Sequence, residues 1–294
     1  MPNSAVPDAR SFDHFVIATR NAQDAGLRYE DLGFQVLPLQ RHIEIGSCNR
    51  LFQLEQTYIE FVGDLDKSLP LLRDRMMPRF SCGEGLALTS LNSSNLERDR
   101  EYLQQDGFHP DPIINARRSI ELPGGLVDET DSRCFYNWYE DHPYLTLFFS
   151  RHHKPHTIWI PEYTVHPNTA LRVIQQTLLF STPRQAIPYY RAMLRTEPSS
   201  VTDDRVEFRT ARDESVEIMS PKLLGERYGD VAPVDCPALS GYGISLRYGV
   251  RDLNMCRRTL SASEIPFAES GGVIRVGAER GAGVVTEFQA LNKG

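Results

Sequence analysis

The chain has 294 residues, of which 40% are hydrophobic and 24% charged, proportions that fit two ordinary cored domains and exclude disordered or fibrous architectures. Its formal charge of −7 argues against nucleic acid as a partner. No run approaches the roughly 18 apolar residues of a membrane helix, and MPNSAVPDARS lacks the marks of a secretion signal, so the expectation is a cytoplasmic protein. Lysine occurs only at Lys67, Lys154, Lys222 and Lys293, leaving arginine to supply the positive charge, either to grip a carboxylate or phosphate or simply to solvate the surface. Cys48, Cys82, Cys134, Cys236 and Cys256 show no Cys-x-x-Cys spacing and read as reduced, partly buried thiols.

In chain order, DHFVIA reads as a strand carrying His14. A helix follows, with Asn21 as N-cap, Gly33 as stop, and Ala22, Ala25, Tyr29 and Leu32 on one buried face. Phe34 opens an extended run, and the unit closes on TYIEFVG, which carries Glu60. The same grammar returns at Gly85: LALTSL as a strand, Asn95 to Gln105 as a helix, then CFYNWY and YLTLFF as strands. HHKPHTIWIPEYTVHPN, from His152 to Asn168, reads as the boundary between halves. The stretches Pro110 to Pro112 and Pro198 to Asp204 read as surface connections.

A third unit opens with LRVIQQTLLF, takes Ser181, Thr182 and Pro183 as a helix start with Ile187, Tyr190 and Leu194 on the apolar side, and ends in the hairpin RVEFRT–ARDE–SVEIM. The fourth runs through GISLRY, a helix opened by Asp252, SASEIPF, VIRV, the turn GAERGAG and VVTEFQ. Each unit is a strand, a helix and about three strands, too small to bury its own sheet, so four units imply two pairs. The expected domains are residues 1–160 and 167–294.

Glu60, Glu217 and Glu287 each fall in the last strand of a unit. On a concave face such a carboxylate would need a cation or protons; on an outer face it would simply be solvated. His14 beside Glu60 is a common start to a divalent-metal site, and Gln176 takes the His14-like place in the third unit. His152, His153 and His156 read as an exposed loop, and His166 as a loop histidine at the start of the third unit. GAERGAG joins two strands and so lacks the setting of a phosphate cradle. Trp138, Tyr139 and Trp159 read as core or barrel wall.

Together DHFVIAT, the helix ending DLGF, GSCNRLFQL and TYIEFVG resemble the glyoxalase-like members of the vicinal oxygen chelate superfamily, as does HPN at 166–168. The resemblance implies an α+β fold of four βαβββ modules, paired into two cupped, barrel-like mixed sheets with helices outside, around a divalent metal. Carried over by position, it makes His14 and Glu60 the metal ligands. It offers Gln176 and Glu217 in the third module, Glu287 without a histidine in the fourth, and neither ligand in the second. Zinc, iron, manganese, nickel and magnesium are not distinguished, and a metal-free protein is also compatible.

The leading expectation is a metal-dependent enzyme of isomerase or lyase type acting on a small oxygenated molecule, with Glu217 and Glu287 as candidate catalytic carboxylates. A metal-free protein that sequesters a small hydrophobic or aromatic compound is the alternative, so enzyme status stays open. A ring-cleaving dioxygenase is the second alternative; extradiol members of the superfamily require two histidines and a glutamate in the second half, which shows no such set. An inactive scaffold is a further option. A small molecule is the expected partner, without nucleic acid or membrane, and a homodimer is an open option.

Overall fold

A computed structural model describes residues 9–229 and 241–291, so Cys236 and Lys293 lie outside the described residues. The first module comprises β1 (Phe12–Ala18), α1 (Ala22–Asp31), β2 (Gln40–Arg41), β3 (Cys48–Gln53) and β4 (Tyr58–Gly63). Asn21 caps α1 through its side chain, which accepts from the Gln23 and Asp24 amides, and Gly33 leaves the helix at φ +82°, where a glycine is at home. After α2 (Pro70–Phe80) come β5 (Gly85–Asn92), α3 (Leu96–Gln105), β6 (Ile114–Asn115), the hairpin β7 (Ser119–Glu121) and β8 (Val127–Glu129), β9 (Ser132–Asn137) and β10 (Thr146–His152).

The second half repeats the order with β11 (Ala170–Leu179), α4 (Ile187–Leu194), β12 (Pro198–Val201), β13 (Arg205–Arg209), β14 (Ser215–Met219) and α5 (Pro221–Tyr228). It ends with β15 (Tyr242–Val250), α6 (Leu253–Ala262), β16 (Phe267–Ser270), β17 (Val273–Val276) and β18 (Val285–Ala290). Thr182 precedes the helical turn at Pro183, but its hydroxyl makes no capping bond. Pro198 to Val201, expected as a loop, is an edge strand paired with β13; a proline is tolerated as the first residue of such a strand. Neither α2 nor α5 is announced by the sequence pattern.

Both halves give eight-stranded mixed sheets with the same permutation, β2-β3-β4-β1-β5-β10-β9-β6 and β12-β13-β14-β11-β15-β18-β17-β16, each curled into a cup. The two innermost strands of each sheet are antiparallel to one another and parallel to their outer neighbours. Alternation decides where side chains go. On β1, Phe15 and Ile17 join Leu86, Val173, Leu178 and Leu246 in one core between the sheets, whereas Val16 and Ala18 face the first cup with Val62, Leu88 and Phe148. Fully burying each such side chain is worth about 1.5–3 kcal/mol.

The sheets therefore pack back to back. At Gly243 a Cβ would stand 2.8 Å from the Leu86 Cβ, so the glycine is what lets the central strands approach. Beside it the Gln176 amide donates to Thr89 Oγ1 at 2.7 Å across the seam. The register corrects the expected place of Gln176: Val16 pairs with Glu60 and Thr177 with Glu217, so the residue matching His14 is Gln175. Gln176 lies on the opposite face.

Candidate metal centre

Three strands and a loop bring the first cup's polar groups together. On β4, Tyr58, Glu60 and Val62 alternate inward; on β1, His14 and Val16 do so; on β10, Phe148, Ser150 and His152 follow; and Arg118 enters beside the β7–β8 hairpin. They line a cavity of about 60 Å³, closed on its apolar side by Val16, Val62, Leu72 of α2, Leu88 and Phe148.

His14 is fixed from behind. Its Nδ1 lies 2.6 Å from Asp13 Oδ1 and its ring stacks on Tyr58 with centroids 4.2 Å apart. Burial by itself would raise the Asp13 carboxyl, but the charge of His152 and the hydrogen bonds from His14 and His152 hold it well below the usual range. An ionised carboxylate only accepts, so His14 donates to it through Nδ1 and its Nε2 is left toward the cavity, where no described residue bonds it. His152 is engaged at both ends, its Nε2 lying 2.9 Å from Asp13 Oδ1 and its Nδ1 2.7 Å from the Ser132 hydroxyl.

Glu60 is buried on the same wall. Burial raises its carboxyl, but the His42 hydrogen bond, the charges of His42 and His14, and the Asn49 amide bring it down to about 2. Both neighbours approach Oε1, His42 Nε2 at 3.1 Å and Asn49 Nδ2 in a short hydrogen bond, which leaves Oε2 without a partner among the described residues. The donor atoms of Asp13, His14 and His152 lie within 4.8 Å of one another, a group able to hold a metal ion, and Glu60 stands outside that group with His42.

The donor set is imidazole and carboxylate, which suits borderline divalent ions. Cys134 also lines the cavity, where burial pushes its thiol up to about 12. The residues present therefore fit a divalent metal.

Glu217 and Glu287 are buried in the second cup and do not line this cavity. Glu217 pairs with Arg205 at 2.7 Å and with Arg227, and accepts the Gln175 amide at 2.7 Å. Glu287 pairs with Arg275 at 2.8 Å and Arg247 at 3.1 Å, and accepts the hydroxyls of Ser245 and Tyr228. All eight histidines of the chain precede residue 167, and among the described residues none hydrogen-bonds Glu217 or Glu287.

Sequence reading misses Asp13, His42, Arg118 and His152 as site residues. His152 is read as loop because HHKPH looks like a linker, yet the alternation of TLFFSRH continues to it and turns it inward with Phe148 and Ser150. His153 and His156 are exposed, as expected. His166 is buried between the halves: the Gln35 amide donates to its Nδ1 at 3.0 Å and its Nε2–H donates to the Gln53 carbonyl at 2.7 Å. Burial lowers its pKa to about 4, so it is neutral at pH 7. Trp159 packs edge-on to His152 at the cavity rim.

Residues 12–194 match the family model described as a glyoxalase-like domain. No curated protein matches the chain. Among solved structures, a hypothetical protein from Staphylococcus aureus is 12% identical over 95% of this chain and 99% of its own, with a TM-score of 0.65. A triple mutant of 4-hydroxymandelate synthase from Streptomyces coelicolor is 12% identical over 98% of this chain and 95% of its own, with a TM-score of 0.61. A xylose isomerase-like TIM barrel/4-hydroxyphenylpyruvate dioxygenase fusion protein is 9% identical over 100% of this chain and 51% of its own, with a TM-score of 0.55. At these identities the likeness is one of fold.

Proposed function

We propose, from the premise that this chain belongs to the glyoxalase-like domain family, that its first cup is the site of a divalent-metal-dependent enzyme acting on a small oxygenated molecule by isomerase- or lyase-type chemistry. The observation that carries the reading is the pair of unclaimed donors, His14 Nε2 and Glu60 Oε2, on the wall of one cavity, with His14 held in the ligating tautomer by Asp13. His14 and Glu60 would hold the ion, with His152 and Asp13 within reach. When bound there, a divalent ion supplies Lewis acidity toward a carbonyl oxygen.

The chain's own residues do the rest. Val16, Val62, Leu72, Leu88 and Phe148 exclude water, and the cavity's small volume restricts the substrate to a few heavy atoms at a time. Glu60 Oε1 and His42 Nε2, 3.1 Å apart, form a path along which a proton can be held or passed. Glu217 and Glu287 we assign to holding the second cup together, since each carboxylate is already matched by two arginines. Residues 1–160 and 167–294 are taken as the two domains, a small molecule as the partner, and the cytoplasm as the location. No helix among the described residues is long and apolar enough to cross a membrane.

A dioxygenase is a second reading, supported by the likeness in fold to the 4-hydroxyphenylpyruvate dioxygenase fusion protein. Its site too is read in the first cup, where His14, His42 and His152 line the cavity. Elemental analysis of the purified protein tests the metal: stoichiometric divalent ion is expected in the parent and its loss in His14→Ala and Glu60→Ala variants of unchanged circular dichroism. A parent protein without stoichiometric metal leaves sequestration of a small compound as the function.

A further inference from the structure

Arg118 is buried in the wall of the first cavity beside Tyr58, Glu60, Thr130 and Ser132. Its guanidinium makes one side-chain hydrogen bond, from Nη1 to Gln40 Oε1 at 2.5 Å, and no carboxylate among the described residues forms an ion pair with it. Other buried and half-buried arginines are satisfied differently. Arg10 has Asp99, Arg50 has Glu30, Arg247 and Arg275 share Glu287, and Arg79 donates to the Gly83 and Glu84 carbonyls over the Tyr242 ring.

Arginine keeps its charge at any ordinary pH, so a guanidinium withdrawn from water without an acid is electrostatically incomplete. Glu60, the acid on the same wall, acts on Arg118 only through its charge: its hydrogen bonds go to His42 and Asn49 through Oε1, and it forms no ion pair with the guanidinium. Nor is Arg118 free to swing away: its amide donates to Thr130 Oγ1 at 3.0 Å, its carbonyl accepts from the Thr130 amide at 2.9 Å, and its backbone bridges to His42. The remaining donors of a planar fork therefore face a small cavity that already contains the candidate metal ligands.

We infer that the substrate of this site is a short-chain carboxylic acid whose carboxylate docks on Arg118, placing its neighbouring oxygens among His14 and Glu60. The identity of the pocket as catalytic rests on the reading above, but the docking step needs no metal. That separation sets the test.

Acetate, with acetamide as its uncharged match, is titrated calorimetrically into the full-length protein as isolated and after removal of metal by a chelator. Acetate is expected to bind saturably in both preparations and acetamide in neither. Arg118→Gln should weaken acetate by about tenfold or more, the scale of losing a charge-assisted two-pronged contact, and Arg118→Lys by less. Acetate binding no better than acetamide, or equally well in Arg118→Gln, overturns the inference. If Arg118→Gln does not fold, Arg118→Lys and the acetate–acetamide difference decide it: a lysine variant binding acetate as tightly as the parent counts against the fork. Should the parent hold no metal and still bind acetate through Arg118, the carboxylate assignment stands while the metal reading falls.

Discussion

The two cups share one permutation of strands yet are finished in opposite ways, and the difference lies in the helix that follows the last strand of the leading module. In the first half α2 lays Leu72 and Met76 against Val16, Ala18 and Val62, so hydrocarbon fills the space and the acid at Glu60 keeps an oxygen free. In the second half α5 delivers Arg227 to Glu217 and the Tyr228 hydroxyl to Glu287, while Arg205, Arg247 and Arg275 come from the strands. Two halves of one fold thus carry inward carboxylates at matching positions, one with an oxygen that no described residue claims and the other already supplied with internal cations. Position in the fold does not assign chemistry; the neighbours of the carboxylate do.

The sharpest way to break this comparison is to remove each acid. Glu287→Ala should cost roughly 3–5 kcal/mol in urea unfolding, because it strands Arg247 and Arg275 in a buried setting, and should leave metal content unchanged. Glu60→Ala should cost only about 1 kcal/mol, the loss of hydrogen bonds from His42 and Asn49, while abolishing metal binding. Equal penalties for the two variants would show that the cups are not differently built.

The seam between them has its own signature. His166 titrates near 4 in the folded protein against an ordinary 6.5, so the unfolded chain takes up the proton first. Its contribution is intact above about pH 6.5 and declines as the pH falls toward 4, by roughly 2–3 kcal/mol in all. Stability measured across that window should fall in the parent and flatten in His166→Gln. A parent profile without that slope would mean the histidine is not held neutral between the halves.

A smaller effect separates orientation from ligation in the first cup. Asp13→Asn keeps the shape but replaces the acceptor that fixes the His14 tautomer, and metal affinity should drop about 10–100-fold, alongside a loss of stability from its charge-assisted bonds with His14 and His152. Unaltered affinity, read by competition with a chromogenic chelator, would place the orienting role elsewhere.

Much of this was legible in the amino-acid string where local chemistry is strong. Asn21 and Gly33 bracket α1, Asn95 and Asp252 cap α3 and α6, and the alternation around Glu60 puts it opposite Ile59 and Phe61. The plugging helices were not legible, since α2 carries Pro78 in its interior and α5 is eight residues long with Gly225 in its middle, both weak helix signals. The doubled glutamine at 175 and 176 hides which residue faces inward, because a slip of one position reverses every side chain. Arg118 and His42 meet through a single backbone bridge between distant loops, and nothing local to either segment encodes that meeting.

Back-to-back packing gives the innermost strands a division of labour that can be exploited. On β1, changing Val16 reshapes the chamber, whereas changing Phe15 or Ile17 reshapes the core shared with the helices and the other half. Selectivity and robustness are therefore set by adjacent but separate dials, and a library confined to one parity of positions can retune the first without loosening the second.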